Sequence, residues 1–267
     1  MASSYSIKKV PGFGAIAVAC VAILYLPIAT LVAFAFNSGT SIAMWEGFSF
    51  RWFISAWRNQ DVMEAAWRSI KIAAFAAALA TLVATPAALA TTRVKSYRGL
   101  LFKTAVINVP LVVPEIVTAV GLLILFARIK VWTGYTGSAY LMLSHAAFCV
   151  PFAYMPLRAR LDGMDLSLER AASDLYASKF NIFRYITLPL LAPAVLAGLM
   201  LSFVISLDDV VITEFIKSGG QETLPTYMLG QIRRGITPEM NAISAVFLLI
   251  SLAIVTAFFF LNRKTDA

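Results

Sequence analysis

The chain has 267 residues, of which 60% are hydrophobic and only 13% charged, and its mean hydropathy is +0.80. An ordinary soluble domain is about half apolar and about a quarter charged, so composition excludes that class and places the chain in a bilayer. The formal charge of +8 raises nucleic acid as a partner, and only the distribution of the bases along the chain decides against it.

Residues 1–9 are polar and end in Lys8-Lys9. The apolar run from about Phe13 to Phe36 is long enough to cross a hydrocarbon core at about 1.5 Å per helical residue. It is too long for a signal-peptide core, and Asn37-Ser38-Gly39 is a poor cleavage site, so it reads as a retained first helix. Residues 37–60 leave the membrane. They crowd together Trp45, Phe48, Phe50, Trp52, Phe53 and Trp57, which suit the headgroup level. Asp61 with Glu64 three residues on resembles a capping box and predicts a second span running to about Thr92. Its alanines let neighbouring helices approach closely.

Arg93, Lys95, Arg98 and Lys103 form a basic turn. A third span is expected from about Leu101 to Phe126, interrupted by Pro110 and Pro114, and a fourth from about Ala139 to Leu157. The polar stretch 158–185 comes next. A fifth span runs from about Ile186 to Leu207 and ends at Asp208-Asp209. A short segment from Leu224 to Ile232 precedes Thr237-Pro238-Glu239, which reads as a helix start with Pro in its first turn. The sixth span ends near Leu261.

Six spans put both termini on one side. There lie Lys8, Lys9, Arg93, Lys95, Arg98, Lys103, Arg158, Arg160, Arg170, Lys179, Arg184, Arg263 and Lys264, against Asp162, Asp165, Glu169, Asp174 and Asp266. Bases and acids balance on the other side, so the whole +8 excess sits with the termini. Positive charge marks the cytoplasmic face, which makes both termini cytoplasmic and leaves nucleic acid the weaker reading. The expected fold is all-α: a polytopic membrane protein of six transmembrane helices, forming a single domain over residues 1–267.

The chain carries no GxxxxGK[ST], GxSxG or HExxH, so no catalytic or phosphate-cradling motif is present. Cys20 and Cys149 both lie in apolar runs and read as small hydrophobes. The single histidine, His145, cannot build a metal site alone. It reads as a satisfied or cavity-facing residue, since a proton relay would want an acidic partner that its own helix lacks. The chain is expected to be no enzyme and to bind no cofactor or metal.

The informative polar stretch is 167–193. Ser167 is placed to cap a helix starting at Leu168, with Glu169 in its first turn, where the helix dipole favours an acid. Ala171, Ala172 and Leu175 make an apolar stripe. Here the sequence resembles the permease subunits of ABC importers. Their cytoplasmic signature is Glu-Ala-Ala, three residues, Gly, nine residues, Ile, one residue, Leu-Pro. Ala171-Ala172, the spacer with Asp174 and Leu175, and Ile186-Thr187-Leu188-Pro189 match it in order and spacing. Arg170 stands at the Glu position and Tyr176 at the Gly position, with Glu169 one residue early and so turned about 100° away. The resemblance implies that this loop, 158–185, holds a coupling helix docked on a separate ATPase subunit, through Glu169, Arg170, Ala171, Ala172, Asp174, Leu175 and Tyr176.

The resemblance extends along the chain and narrows to the polyamine (spermidine/putrescine) branch. It is carried by Leu24-Tyr25-Leu26-Pro27, Phe36-Asn37-Ser38, Trp45-Glu46-Gly47-Phe48, Pro114-Glu115-Ile116, the run Ser144 to Cys149, the run Leu207 to Ile212, Leu224-Pro225 and the run Pro238 to Ala242. It implies a bacterial inner-membrane importer with a second permease subunit, an ATPase dimer that binds ATP and Mg, and a periplasmic substrate-binding protein. The chain itself would contact membrane lipid and move its substrate by alternating access. An ion-coupled carrier or channel working without ATP is the alternative, as is an ABC permease for another amine, amino acid or phosphonate.

A path for a polycation should offer carboxylates to its ammonium groups and aromatic faces to its charge and methylenes. Glu115, placed mid-span behind Pro114, is the first candidate, because a carboxylate at that depth needs a partner or a wet cavity. Asp208 and Asp209, about 100° apart if helical, offer one carboxylate between them to a pore. Glu214 is a further candidate. Tyr25 and Trp45 are candidates for an aromatic gate, although aromatics near an interface are more often anchors.

Overall fold

The computed structural model describes residues 13–42, 44–93, 98–235 and 237–263. Lys8, Lys9, Lys95, Lys264 and Asp266, which contribute to the charge bias, lie outside the described residues. The fold is all-α. The helices are α1 (Phe13–Phe34), α2 (Arg51–Arg58), α3 (Gln60–Thr92), α4 (Leu100–Val112), α5 (Glu115–Thr133), α6 (Ala139–Asp162), α7 (Ser167–Asp174), α8 (Lys179–Ile182), α9 (Leu188–Asp208), α10 (Val211–Ile216), α11 (Leu224–Arg234) and α12 (Pro238–Arg263). A π-helical turn, Phe183–Thr187, joins α8 to α9. Among the described residues, six stretches are long and apolar enough to cross a membrane: α1, α3, α5, α6, α8 through α9, and α12. The chain divides into two compact units. One comprises Met1–Met63 with Gly230–Ile250, and the other Glu64–Leu229 with Ser251–Ala267.

In the first unit the stretch after α1 folds around Asn37. Its buried amide donates to the carbonyls of Ser41 (3.1 Å) and Met44 (2.7 Å) and accepts from the Glu46 N–H (2.9 Å). A buried amide with its groups paired fixes a loop that has no helix of its own to do so. Phe36 stacks on Phe48 and meets Phe50 and Phe53, while Trp52 donates to the Gly39 carbonyl (3.1 Å). Asn59, not Asp61, caps α3. Its side-chain oxygen accepts from the N–H groups of Asp61 (3.1 Å) and Val62 (3.4 Å), because Asn59 is the residue with extended backbone at that junction.

The second unit is built on the packing of α6 against α9. Ala194, Gly198, Ser202 and Ser206 recur every fourth residue on α9 and share one face. His145, Cys149, Ala153 and Leu157 do the same on α6, and all eight are buried. Ser202 donates to the Cys149 carbonyl (3.3 Å) and the Cys149 thiol to the Ser202 carbonyl (3.5 Å), so each of the two spanning helices sends a small side chain to the other's backbone.

The third span differs from its expected form. The chain breaks between Val112 and Pro114, giving a short apolar helix and then a spanning helix that begins at Glu115. Pro114 disfavours helical backbone at the preceding residue, and Val113 is extended (φ −80°, ψ 134°). Pro110 lies inside α4 without ending it. Glu115 is therefore not mid-span. It occupies the first turn of α5, where the helix dipole favours a carboxylate.

Candidate functional site

Two sites emerge in the second unit. The first is a cavity of about 370 Å³ lined by Glu115, Phe148, Val204, Ile205, Asp208, Asp209, Val210 and Val211. It brings together three of the candidate carboxylates and contains no base among its lining residues. Asp208 is the last residue of α9 and Asp209 its extended C-cap (φ −65°, ψ 131°), so the two are not spaced as helical neighbours. A helix C-terminus disfavours acids, so α9 gains nothing from this pair. Asp209 serves the next helix: its carboxylate accepts from the N–H groups of Ile212 (3.4 Å) and Thr213 (3.0 Å) at the start of α10. The Glu115 and Asp209 carboxyl groups both line this cavity. Asp209 is buried, whereas Asp208 is exposed and makes no hydrogen bond or ion pair among the described residues.

Behind Asp209 stands a polar cluster that sequence reasoning missed. The buried His145 ring places Nδ1 2.8 Å from Ser206 Oγ and Nε2 2.9 Å from Thr213 Oγ1, with Asp209 Oδ1 3.4 Å from Nε2. Thr213 Oγ1 also donates to Asp209 (3.2 Å). The acidic neighbour absent from the histidine's own helix arrives from the α9–α10 junction, a tertiary contact.

The remaining pathway candidates lie elsewhere. Glu214 is neutralised by Lys217 (2.8 Å), which also reaches Glu222 (3.5 Å), and it does not line the cavity. Tyr25 is exposed on α1, and Trp45 sets its ring edge-on to Phe34; both belong to the first unit.

The second site is the polar stretch. Helix α7 starts at Ser167 itself, so Ser167 is not its cap. Instead Asp165 accepts from the Ser167 hydroxyl (2.7 Å) and N–H (2.9 Å), and these bonds hold the exposed Asp165 carboxyl below the usual carboxylate range. Glu169 does not serve the helix N-terminus either. Its carboxylate turns to Arg93 (3.1 Å) and accepts from Thr187 Oγ1 (3.0 Å).

The helix ends in a Schellman motif. The Ala177 N–H donates to the Ala172 carbonyl (3.0 Å) and the Tyr176 N–H to the Ser173 carbonyl (3.0 Å). That motif needs a left-handed residue, and Tyr176 supplies it at φ 58°, the sole non-glycine residue with positive φ among those described. The turn is thus the one a glycine would make, held by a tyrosine. Leu175 (81%) and Tyr176 (98%) are exposed, Arg170, Ala171 and Asp174 are exposed as well, and Ala172 is half-buried. The apolar stripe is therefore left uncovered by the chain itself.

Comparison with known proteins accounts for this architecture. Residues 84–267 match the family described as "Binding-protein-dependent transport system inner membrane component". The chain is 38% identical over 244 residues to the spermidine/putrescine transport system permease protein PotC of Escherichia coli (strain K12), covering 91% of each chain. It is 36% identical over 228 residues to the putrescine transport system permease protein PotI of the same organism, covering 84% of this chain and 81% of that one. Its fold is similar to a solved bacterial alginate ABC transporter in complex with an alginate pentasaccharide-bound periplasmic protein, with TM-score 0.70, 15% identity and 95% of each chain covered. Six apolar spans, a small-residue helix seam and the Ala171-to-Pro189 spacing thus have one common origin: the chain belongs to the inner-membrane components of binding-protein-dependent transport systems and is a transport subunit, not an enzyme.

Proposed function

We propose that this chain is one of two membrane subunits of an ATP-driven importer that moves polyamines, or closely related organic polycations, across the bacterial inner membrane. The observation that carries the substrate class is the cavity at the α5, α9 and α10 junction. Glu115, Asp208 and Asp209 offer negative charge, Phe148 offers an aromatic wall, and the valines and Ile205 suit a methylene chain. The names of PotC and PotI, which specify spermidine and putrescine transport, support the same reading.

In this reading both termini are cytoplasmic, and α7 with Leu175 and Tyr176 docks on a dimeric ATPase that holds ATP and Mg. A periplasmic binding protein delivers the substrate, and the membrane helices alternate access to it. Asp208, exposed and without a partner among the described residues, receives an ammonium group, while Glu115 and Asp209 hold the deeper negative charge. Glu214 is already paired and takes no part.

Uptake by the complete complex in proteoliposomes tests this. Putrescine and spermidine should compete with each other and be taken up at the expense of ATP, and zwitterionic amino acids should compete poorly. Preferential competition by a zwitterionic or anionic solute would overturn the substrate assignment. Uptake without ATP would overturn the mechanism.

A further inference from the structure

Helix α7 buries none of its own residues, so no apolar core holds it in place. A hydrogen-bonded ion pair ties it down instead. The Arg93 and Glu169 side chains are only 18% and 20% exposed, and Arg93 Nη2 lies 3.1 Å from Glu169 Oε1. The same oxygen accepts from the buried Thr187 hydroxyl at 3.0 Å. The other terminal nitrogen of Arg93 donates to the Leu161 carbonyl (3.1 Å). Three elements therefore meet at one carboxylate, the end of α3, α7 itself and the π turn that opens into α9, and Arg93 ties the last turn of α6 to them.

The π turn is an independent mark of the same place. Pro189 has no N–H to offer the carbonyl four residues back, and its ring crowds that carbonyl. The chain widens by one residue over Phe183–Thr187, which re-aims the body of α9 by about 100°. Thr187, the last residue of that turn, is the one that reaches Glu169. Around the junction Leu89, Arg93, Glu169, Lys179, Phe183 and Thr187 line a cavity of about 640 Å³, so the junction borders open space rather than a packed core.

We propose that Glu169 is the positioning residue that fastens the coupling helix to the membrane-spanning helices, with Arg93 and Thr187 as its two anchors, so that a displacement of α7 is delivered to α3 and α9 together. This rests on the reading of α7 as the ATPase-docking helix. The acid standing one residue before the usual Glu position is what allows it, because it turns the carboxylate inward while Arg170 faces solvent.

The test uses the full transporter in proteoliposomes, reading ATPase association, ATP hydrolysis and substrate uptake separately. Glu169→Gln keeps the shape and removes the charge. It should still assemble and hydrolyse ATP, with about tenfold less uptake per ATP, since a charge-assisted bond is lost. Exchanging the charges (Arg93→Glu with Glu169→Arg) should recover part of that ratio. Normal uptake per ATP in Glu169→Gln would overturn the proposal, as would an assembled exchange variant with no recovery. Failure of Glu169→Gln to assemble would also overturn it, since the carboxylate would then be a folding brace. Ala171→Arg with Ala172→Arg separates the two readings. If it leaves ATPase association and uptake intact, the docking role of α7 falls. If it abolishes association while Glu169→Gln couples normally, only the latch falls.

Discussion

Gly198 of α9 rests on the backbone of Ala153 of α6, and a Cβ built on it would stand 2.8 Å from the Ala153 carbonyl oxygen and 3.2 Å from its Cα. Backbone cannot move aside as a flexible side chain can, so the seam has room for glycine only. Gly198→Ala should push α6 and α9 apart and cost about 1–3 kcal/mol, with Gly198→Val worse. Thermal or denaturant unfolding of the detergent-solubilised subunit measures it. A Gly198→Ala protein as stable as the parent would mean that the seam is not close-packed.

Tyr176 holds a left-handed backbone conformation that costs a non-glycine residue about 1–2 kcal/mol. Its ring is 98% exposed and repays none of that within the chain. Tyr176→Gly should therefore stabilise the isolated subunit by up to about 1 kcal/mol, less glycine's own entropic cost. If the ring contacts the ATPase, the same change should weaken association with it. A stabilised subunit whose association is unchanged would show that the tyrosine contributes nothing to docking.

How much of this could be read in the sequence depends on the range of the interaction. The spans, the re-entry at Leu188-Pro189 and the four-residue rhythm of Gly198, Ser202 and Ser206 are local patterns, and a single helix displays them. The cavity was legible only as scattered acids. Nothing in the spacing of Glu115 and Asp209 shows that they line one cavity, because the break at Pro114 and the extended Asp209 both had to be resolved first. His145 was the hardest case. Its partners Ser206, Asp209 and Thr213 come from two other elements, and the only sequence signal was a histidine in an apolar helix. Local spacing assigns Glu169 to its own helix end, while the structure spends it on Arg93 and Thr187 at the ends of other elements.

The His145 cluster is closed: both ring nitrogens are partnered, and Ser206 and Thr213 are buried with them. His145→Phe keeps a ring in place but strands the buried Ser206 hydroxyl, at about 1–3 kcal/mol for a buried group left unpaired, while Thr213 keeps its bond to Asp209. Adding Ser206→Ala removes the stranded group and should restore most of the stability. Uptake should stay impaired in that double variant, because Asp209 has lost the imidazole beside it. Full recovery of both stability and uptake would show that the cluster only fills space.

The three cavity carboxylates differ in what each already does, and that ranks their substitutions. Asp209 is bonded to the start of α10, so Asp209→Asn should cost stability as well as transport. Asp208 has no such duty, and Asp208→Asn should leave the fold intact. Glu115, in the first turn of α5, lies between them. If the cavity receives ammonium groups, Asp208→Asn should raise the KM for spermidine by about tenfold, the loss of one charge-assisted hydrogen bond. Putrescine, with fewer ammonium groups than spermidine, should respond differently if the carboxylates bind separate charges of one substrate, and the ratio of the two KM values reports this. Combining Asp208→Asn with Glu115→Gln should multiply the two effects if each carboxylate meets its own ammonium group, and should fall short of the product if they share one. Unchanged KM values in both single variants, in a complex that still hydrolyses ATP, would place the cation path away from this cavity.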